Sequence, residues 1–201
     1  MIASFVYLAS ASPRRKDLLK QMGVTTRPLL ADKRENVEQL EEVRRGELPR
    51  DYVLRVAKLK LDAARRRLQA RGLPPAPILV ADTTVALGRR ILGKPDGPDE
   101  ARAMLGALSG RSHRVLTAVA VSAGVQSFVE LSVTRVEFVP LSASMIDAYI
   151  DGGECFGKAG AYGIQGRAGT WARRVVGSHT GVMGLPVFET ATLLRRAGLR
   201  I

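Results

Sequence analysis

The chain has 201 residues, of which 46% are hydrophobic, and its formal net charge is +12 at pH 7. This length and apolar content suit one domain, residues 1–201, with a proper hydrophobic core. No segment approaches the roughly 20 apolar residues of a membrane-spanning helix, so we expect no membrane partner. Cys155 is the single cysteine, which excludes an internal disulfide and agrees with a cytoplasmic location.

Strands and helices alternate along the chain. Runs of β-branched residues predict strands, and apolar positions at helical spacing predict helices. The predicted strands are residues 5–9, 25–31, 78–87, 91–92, 113–122, 126–139 and 170–176. The predicted helices are residues 13–22, 49–72, 99–108 (with Asp99 as its cap), 142–150 and 185–196, and the charged segment 32–47 stays unassigned. This order predicts an α/β fold with a mixed β-sheet flanked by helices.

The start of the first predicted helix holds an unusual charge pattern. Pro13 suits the first helical position and Ser12 is a favourable N-cap. The N-terminus of a helix attracts anions, yet Arg14 and Arg15 lie in the first turn, where cations are unfavourable. A bound phosphate, which guanidinium groups match with paired hydrogen bonds, would explain the two arginines. The alternative is an ordinary capped helix with solvated arginines.

An aspartate interrupts the apolar strand over residues 78–87. Burying the Asp82 carboxylate is costly unless it is paired or bound to a metal, so Asp82 is a candidate functional residue. The alternative is an aspartate at the end of a strand, facing a loop. Three lysines could each bind phosphate as a point charge: Lys60, Lys94 and Lys158. Considered by itself, however, the position of Lys60 on the long helix is typical of a surface lysine. Gln165 could recognise a base through its carboxamide, or merely satisfy a turn.

Several function classes lack support in the sequence. The chain has neither a P-loop nor a Gly-x-Gly-x-x-Gly segment after a strand, which disfavours the corresponding kinases, ATPases and nicotinamide enzymes. His113 and His179 are too far apart for a histidine-rich zinc site, and Cys155 has no nearby histidine to activate it. The basic residues are dispersed and aromatic residues make up only 5% of the chain, so nucleic acid is not expected as the main partner.

A set of short motifs, in order along the chain, resembles the Maf family of nucleoside triphosphate pyrophosphatases. The motifs are residues 8–15 (LASASPRR), 81–83 (ADT), 92–95 (LGKP), 108–115 (LSGRSHRV), 158–166 (KAGAYGIQG) and 182–186 (VMGLP). The resemblance implies two lobes around a central cleft. It also implies hydrolysis of a nucleoside triphosphate to the monophosphate and pyrophosphate with a divalent metal, Mg or Mn.

The resemblance also assigns roles to individual residues. Asp82 matches the general base, and Arg14, Thr83 and Gln165 look like the branch that acts on dTTP and UTP. The remaining pocket positions, most of them expected to bind phosphate, are Ser10, Arg15, Glu35, Lys60, Lys94 and Lys158. Glu35 and Asp82 are the expected metal ligands.

Two positions depart from the family pattern, and two other functions stay open. Gly157 replaces a usual aspartate, and Arg34 reduces an acidic pair near Glu35, which puts metal ligation in question more than the reaction. One alternative is a non-enzymatic regulator of cell division that binds nucleotide or nucleic acid. The other is a pyrophosphatase for purine nucleotides such as ITP, XTP or 7-methyl-GTP. The expected partner is a small nucleoside triphosphate, and a homodimer is compatible with the sequence.

Overall fold

A computed structural model describes residues 4–32, 35–36 and 38–201, with the side chain of Glu38 left out. In this part of the chain, seven strands form one sheet in the order β2-β1-β3-β5-β6-β7, with β4 paired to β3. The strands are β1 (Val6–Leu8), β2 (Thr26–Pro28), β3 (Ile78–Leu87), β4 (Arg90–Leu92), β5 (Ser112–Ala123), β6 (Gln126–Phe138) and β7 (Ala172–Val176). Strand β1 runs parallel to β2 and β3, and the other pairs are antiparallel, so the predicted mixed sheet is confirmed.

Six helices accompany the sheet in the described residues. They are α1 (Pro13–Gln21), α2 (Pro49–Ala70), α3 (Pro98–Leu108), α4 (Ala143–Asp151), α5 (His179–Met183) and α6 (Val187–Arg196). Short 3-10 turns cover Glu38–Glu41, Ala159–Ala161 and Arg167–Trp171. No helix in the described ranges is long and apolar enough to cross a membrane.

Both faces of the central strand β3 are buried. Successive side chains of a strand point to opposite faces of the sheet. Ile78 and Val80 therefore pack with helix α2, whereas Leu79 and Ala81 pack with helices α1 and α6. This burial on two faces explains why β3 has consecutive apolar residues on both sides of its polar centre, over residues 78–81 and 85–87. The same alternation turns Asp82 toward the α2 face and Thr83 toward the α1 face.

The sheet leaves an opening beside β3. Strand β1 pairs with β3 only as far as Leu79, and β4 begins to pair with it at Val85. Between these two residues, on the side of β1, the edge of β3 is not covered by a strand. Gly160 packs directly against Val85 at one end of this opening. A Cβ atom at position 160 would lie only 2.8 Å from a methyl carbon of Val85. A glycine is therefore needed at this contact, where φ is also +69°.

Several predicted boundaries were wrong. The second strand is only three residues long rather than residues 25–31, and helix α3 begins at Pro98 with Gly97 as its cap, which places Asp99 in the first turn. Strand β7 begins at Ala172 because the residues before it form a 3-10 turn. Ser12 is the N-cap of α1, but its side chain makes no capping hydrogen bond. Helix α5 was not predicted as a separate element.

Candidate active site

A pocket of about 590 Å³ lies at the opening beside β3. Its wall is built from the start of α1, strand β3, helix α2, the loop after β4, the segment around residue 158 and the end of α5. The charged side chains that line it are Arg14, Arg15, Glu41, Lys60, Arg67, Asp82, Lys94 and Lys158. Pockets of this size bind small molecules, and this wall is rich in cations. The occupant that matches such a wall is a compact polyanion.

Asp82 is buried and paired on one side only. Its side chain is 6% exposed, and its Oδ1 accepts a hydrogen bond from Lys60 Nζ at 2.6 Å. The other oxygen, Oδ2, is buried and has no hydrogen-bond partner within the described residues. The aspartate therefore lies inside β3 against helix α2 and not at a strand end facing a loop. A buried carboxylate oxygen without a partner is rare in folded proteins, and it is a feature typical of catalytic or ion-binding residues.

Glu41 joins two of the predicted lysines. Its Oε1 accepts from Lys60 Nζ and its Oε2 from Lys94 Nζ, both at 2.7 Å. Burial alone would raise the pKa of Glu41, but the two ammonium groups hold the pKa below its usual value. Sequence reasoning missed this residue because segment 32–47 has several acidic residues and no periodic pattern. Tertiary contacts decide which one enters the pocket: Tyr52 OH donates to the Glu41 carbonyl at 2.9 Å, and Arg55 donates to the carbonyls of the two neighbouring residues.

The two arginines at the start of α1 bind the end of α5. Arg14 Nε donates to the Met183 carbonyl at 3.1 Å, and Arg15 Nε donates to the Gly184 carbonyl at 2.8 Å. Carbonyl groups at a helix end lack intrahelical partners and bear partial negative charge. Burial lowers the pKa of both arginines, but an arginine stays protonated in proteins. The carbonyls thus compensate for the unfavourable position of these cations in α1.

Ser10 is arranged to donate a hydrogen bond into the pocket. Its Oγ accepts from the backbone N–H of Ser12 at 3.3 Å and from Arg15 Nη1 at 3.1 Å. A hydroxyl oxygen has two lone pairs and one hydrogen, so these bonds leave the hydrogen free. Ser10 lines the pocket, which makes it suited to an anionic oxygen.

Lys158 lies in the wall of the pocket, and Gln165 lies beside it. Lys158 Nζ donates to the Glu154 carbonyl, and burial, with the nearby charge of Arg14, lowers the pKa of Lys158. Gln165 is exposed and does not line the pocket. Both side chains pack against Gly163. A Cβ atom at Gly163 would lie 3.0 Å from Cε of Lys158 and 3.3 Å from the amide nitrogen of Gln165. The role predicted for Gln165 therefore stays a prediction.

Glu35 lies in a different place from the other predicted site residues. Its two carboxylate oxygens accept from Arg67 Nε at 2.7 Å and Arg67 Nη2 at 2.6 Å, and this paired bond lowers the pKa of Glu35. Glu35 lines a neighbouring cavity of about 580 Å³ instead of the pocket. Arg34 lies outside the described residues, whereas Gly157 lines the pocket. Among the described ranges, no group of three or more His, Cys, Asp or Glu residues could hold a metal.

Fold and pocket together define a class: a mixed α/β protein with a cation-lined site for a small polyanion. A family model described as Maf-like protein matches residues 5–197, so the chain belongs to the Maf family.

Curated relatives cover almost all of the chain. The dTTP/UTP pyrophosphatase of Cupriavidus pinatubonensis is 57% identical over 196 residues, which is 98% of each chain. The dTTP/UTP pyrophosphatase of Cupriavidus metallidurans is 57% identical over 198 residues, 98% of this chain and 99% of the relative. That of Albidiferax ferrireducens is 50% identical over 200 residues and the full length of both chains.

Proposed function

We propose that this protein hydrolyses dTTP and UTP to the monophosphate and pyrophosphate. The observation that carries the proposal is the buried, unpaired Oδ2 of Asp82 in a pocket lined by cations. A protein that only bound phosphates would gain nothing from a carboxylate beside its anion. The names of relatives that are 50–57% identical over nearly the whole chain support the same nucleotides.

In the proposed reaction, water attacks the α-phosphorus and the bond between that phosphorus and the bridging oxygen breaks. Asp82 Oδ2 takes a proton from the water, while Lys60 holds Oδ1 at 2.6 Å and keeps the carboxylate oriented. Charge develops on the departing pyrophosphate. Arg14, Arg15 and Lys94 line the pocket and would stabilise that charge from fixed positions, which is commonly the largest contribution to catalysis.

The carboxylates of the pocket fit a small divalent cation. Mg²⁺ commonly binds one or two carboxylates together with the phosphates of a substrate, and it requires no larger protein cluster. Asp82 Oδ2 is unpaired, and the Glu41 carboxylate already binds two cations, because its oxygens accept from Lys60 and Lys94. Lys60 also binds Asp82, so the two carboxylates lie on either side of one ammonium group. We therefore propose Asp82 and Glu41 as the residues that would hold Mg or Mn, and Glu35 becomes the alternative. A bound cation would neutralise charge on the phosphate oxygens.

A substrate panel tests the proposed function. Pyrophosphate release is measured for all common nucleoside triphosphates, with ITP, XTP and 7-methyl-GTP added and with Mg²⁺ or Mn²⁺ present. The expected result is the largest kcat/KM for dTTP and UTP. Preference for a purine nucleotide would support the purine pyrophosphatase instead. Absence of release from every triphosphate, with salt-dependent binding of duplex DNA, would support the regulator.

Replacing two glutamates separately tests the proposed cation ligands. We expect Glu41→Gln to raise the Mg²⁺ concentration for half-maximal activity by at least about tenfold, because one ligand loses its charge. Glu35→Gln should leave this concentration unchanged, since Arg67 holds Glu35 outside the pocket. Glu47→Gln is the control, because Glu47 forms a comparable ion pair with Arg55 and does not line the pocket. If Glu35→Gln raised the required Mg²⁺ concentration and Glu41→Gln left it unchanged, Glu35 would be the ligand instead of Glu41.

Arg14, Thr83 and Gln165 remain the proposed specificity positions. The Gln165 carboxamide matches the adjacent acceptor and donor at O4 and N3–H of uracil or thymine. Cytosine reverses this order. A cytoplasmic location and a homodimer also remain predictions.

A further inference from the structure

A tight turn carries Gln165, and side chains pack against the glycine at each end of it. The N–H of Gly166 donates to the Gly163 carbonyl at 3.0 Å, which closes the turn. A Cβ atom at Gly166 would collide with Oε2 of Glu154, and a Cβ atom at Gly163 would crowd the side chains of Lys158 and Gln165. Both glycines are therefore needed for these contacts.

Glu154 binds two different parts of the site with its two polar groups. Its backbone carbonyl accepts a hydrogen bond from Lys158 Nζ, in the wall of the pocket. Its carboxylate oxygen Oε2 accepts from the backbone N–H of Arg167 at 3.2 Å, directly after the turn. Hydrogen bonds to an ionised acceptor are stronger than bonds between neutral groups. Glu154 thus joins the lysine predicted to bind phosphate to the turn that carries the proposed base-recognising residue.

Helix α4 fixes the same segment from another side. Tyr149 OH accepts from the N–H of Gly163 at 3.2 Å, and Arg167 Nη1 donates to the Ala148 carbonyl at 3.0 Å. These bonds attach the two ends of the turn to a helix. The Glu154 carboxylate adds a bond from the turn to the residue that also binds Lys158.

We propose that Glu154 is a positioning residue that holds the Gln165 turn beside Lys158, so that base and phosphates are recognised at a fixed separation. The inference rests on the proposed function for the role of Gln165. The carboxylate acts on the base-recognising turn, whereas the carbonyl acts on the phosphate-binding lysine. Hydrogen bonds weaken steeply when donor and acceptor are misaligned, so a displaced turn would lose its discrimination between uracil and cytosine.

Glu154→Ala tests the proposal, because alanine lacks the carboxylate and keeps the carbonyl that binds Lys158. The measurements are kcat/KM for UTP and CTP, and the Kd of inorganic tripolyphosphate, which has no base. We expect the UTP-to-CTP ratio of kcat/KM to fall at least about fivefold, the scale of one lost hydrogen bond to a charged group. The change should lie mainly in KM for UTP, and tripolyphosphate should bind as it does to the wild type.

Glu154→Gln is the conservative variant. Its amide oxygen can still accept from the N–H of Arg167, so it should retain most of the selectivity although the charge is lost. Glu137→Ala is the control for loss of a partly buried glutamate, because Glu137 binds Arg173 at 3.3 Å and does not line the pocket. Its selectivity should equal that of the wild type.

Gly166→Ala breaks the same contact from the other side. The new methyl group would displace Oε2, the end of a flexible side chain, and the φ of −104° at position 166 is open to residues with side chains. We expect the same loss of selectivity as in Glu154→Ala. The double variant should be no less selective than either single variant, because both remove one interaction. Gly106→Ala in helix α3 is the matched control, since a Cβ atom there meets nothing within 4 Å.

Three results would overturn the proposal. They are wild-type selectivity in folded Glu154→Ala, a loss in Glu154→Gln as large as that in Glu154→Ala, and a rise in the Kd of tripolyphosphate that matches the rise in KM for UTP. Thermal unfolding shows whether each variant is folded. Failure of the proposed function is a separate result: the wild type would release no pyrophosphate. Calorimetry with UTP, CTP and tripolyphosphate would still compare the variants in that case.

Discussion

Asp82→Asn is expected to lower kcat for dTTP by about 10²–10⁴-fold, the contribution typical of a general base. Asparagine keeps the size of the side chain but cannot take the proton from water. Lys60 keeps Glu41 as a charged partner at 2.7 Å, so the substitution should not leave an isolated cation. The protein should therefore remain folded. The measurement is pyrophosphate release under saturating dTTP, with thermal unfolding recorded alongside.

A control with the same chemical change separates catalysis from general charge effects. Glu47→Gln also neutralises a mostly buried carboxylate in an ion pair, at Arg55, but outside the pocket. We expect its turnover to equal that of the wild type. If Asp82→Asn retained near-normal kcat, the assignment of Asp82 as the base would be wrong.

Acid is expected to destabilise this protein through His113. The side chain of His113 is buried, and its Nε2 lies 2.8 Å from the hydroxyl of Tyr162, with Phe138 in edge contact at 4.9 Å. Burial lowers the pKa of His113 from 6.5 to about 4, although a backbone hydrogen bond at Arg111 partly opposes this shift. Burial also raises the pKa of Tyr162. At neutral pH both groups are therefore uncharged in the folded state.

The sign of the pH effect follows from proton binding. Between pH 6.5 and pH 4 the unfolded chain binds a proton at His113 and the folded chain does not, so acid favours unfolding. The contribution of His113 is fully present above pH 6.5 and falls by about 3 kcal/mol as the pH drops to 4. Below pH 4 this residue should cause no further loss.

His113→Gln measures this contribution, because glutamine has no charge to gain. Free energies of unfolding from urea titrations at pH 7 and pH 4 should differ by about 3 kcal/mol less in His113→Gln than in the wild type. His179→Gln is the control, since His179 is the other histidine and its side chain is exposed. Equal pH dependence in all three proteins would contradict the prediction.

The long elements of the fold could be predicted because their patterns are local. Strands β3, β5 and β6 are long and rich in apolar and β-branched residues, and helix α2 shows helical spacing over many turns. The short elements could not, because neighbours outside the segment determine them. Strand β2 has three residues and pairs only with β1, and helix α5 is a five-residue helix between longer elements.

The candidate site likewise has features that the local sequence predicts and features that it does not. Pro13, Arg14 and Arg15 after a strand, and one aspartate in an apolar strand, predicted an anion site and a functional carboxylate without any structure. Each of these signals is a charged residue where its charge is locally unfavourable: arginines in the first turn of a helix, or an aspartate within an apolar strand. Such a mismatch can be recognised from the sequence alone.

Only the tertiary structure decided which side chains share the pocket. It placed Glu41 between Lys60 and Lys94, and it paired Glu35 with Arg67 in another cavity. It also brought the hydroxyl of Thr117 to within 2.9 Å of the hydroxyl of Thr83, although the two residues are 34 positions apart in the chain. The sequence determined which charges exist and that some must be buried. Their partners depend on strand register and on where distant helices end, because a hydrogen bond needs two atoms within about 3 Å whatever their separation along the chain.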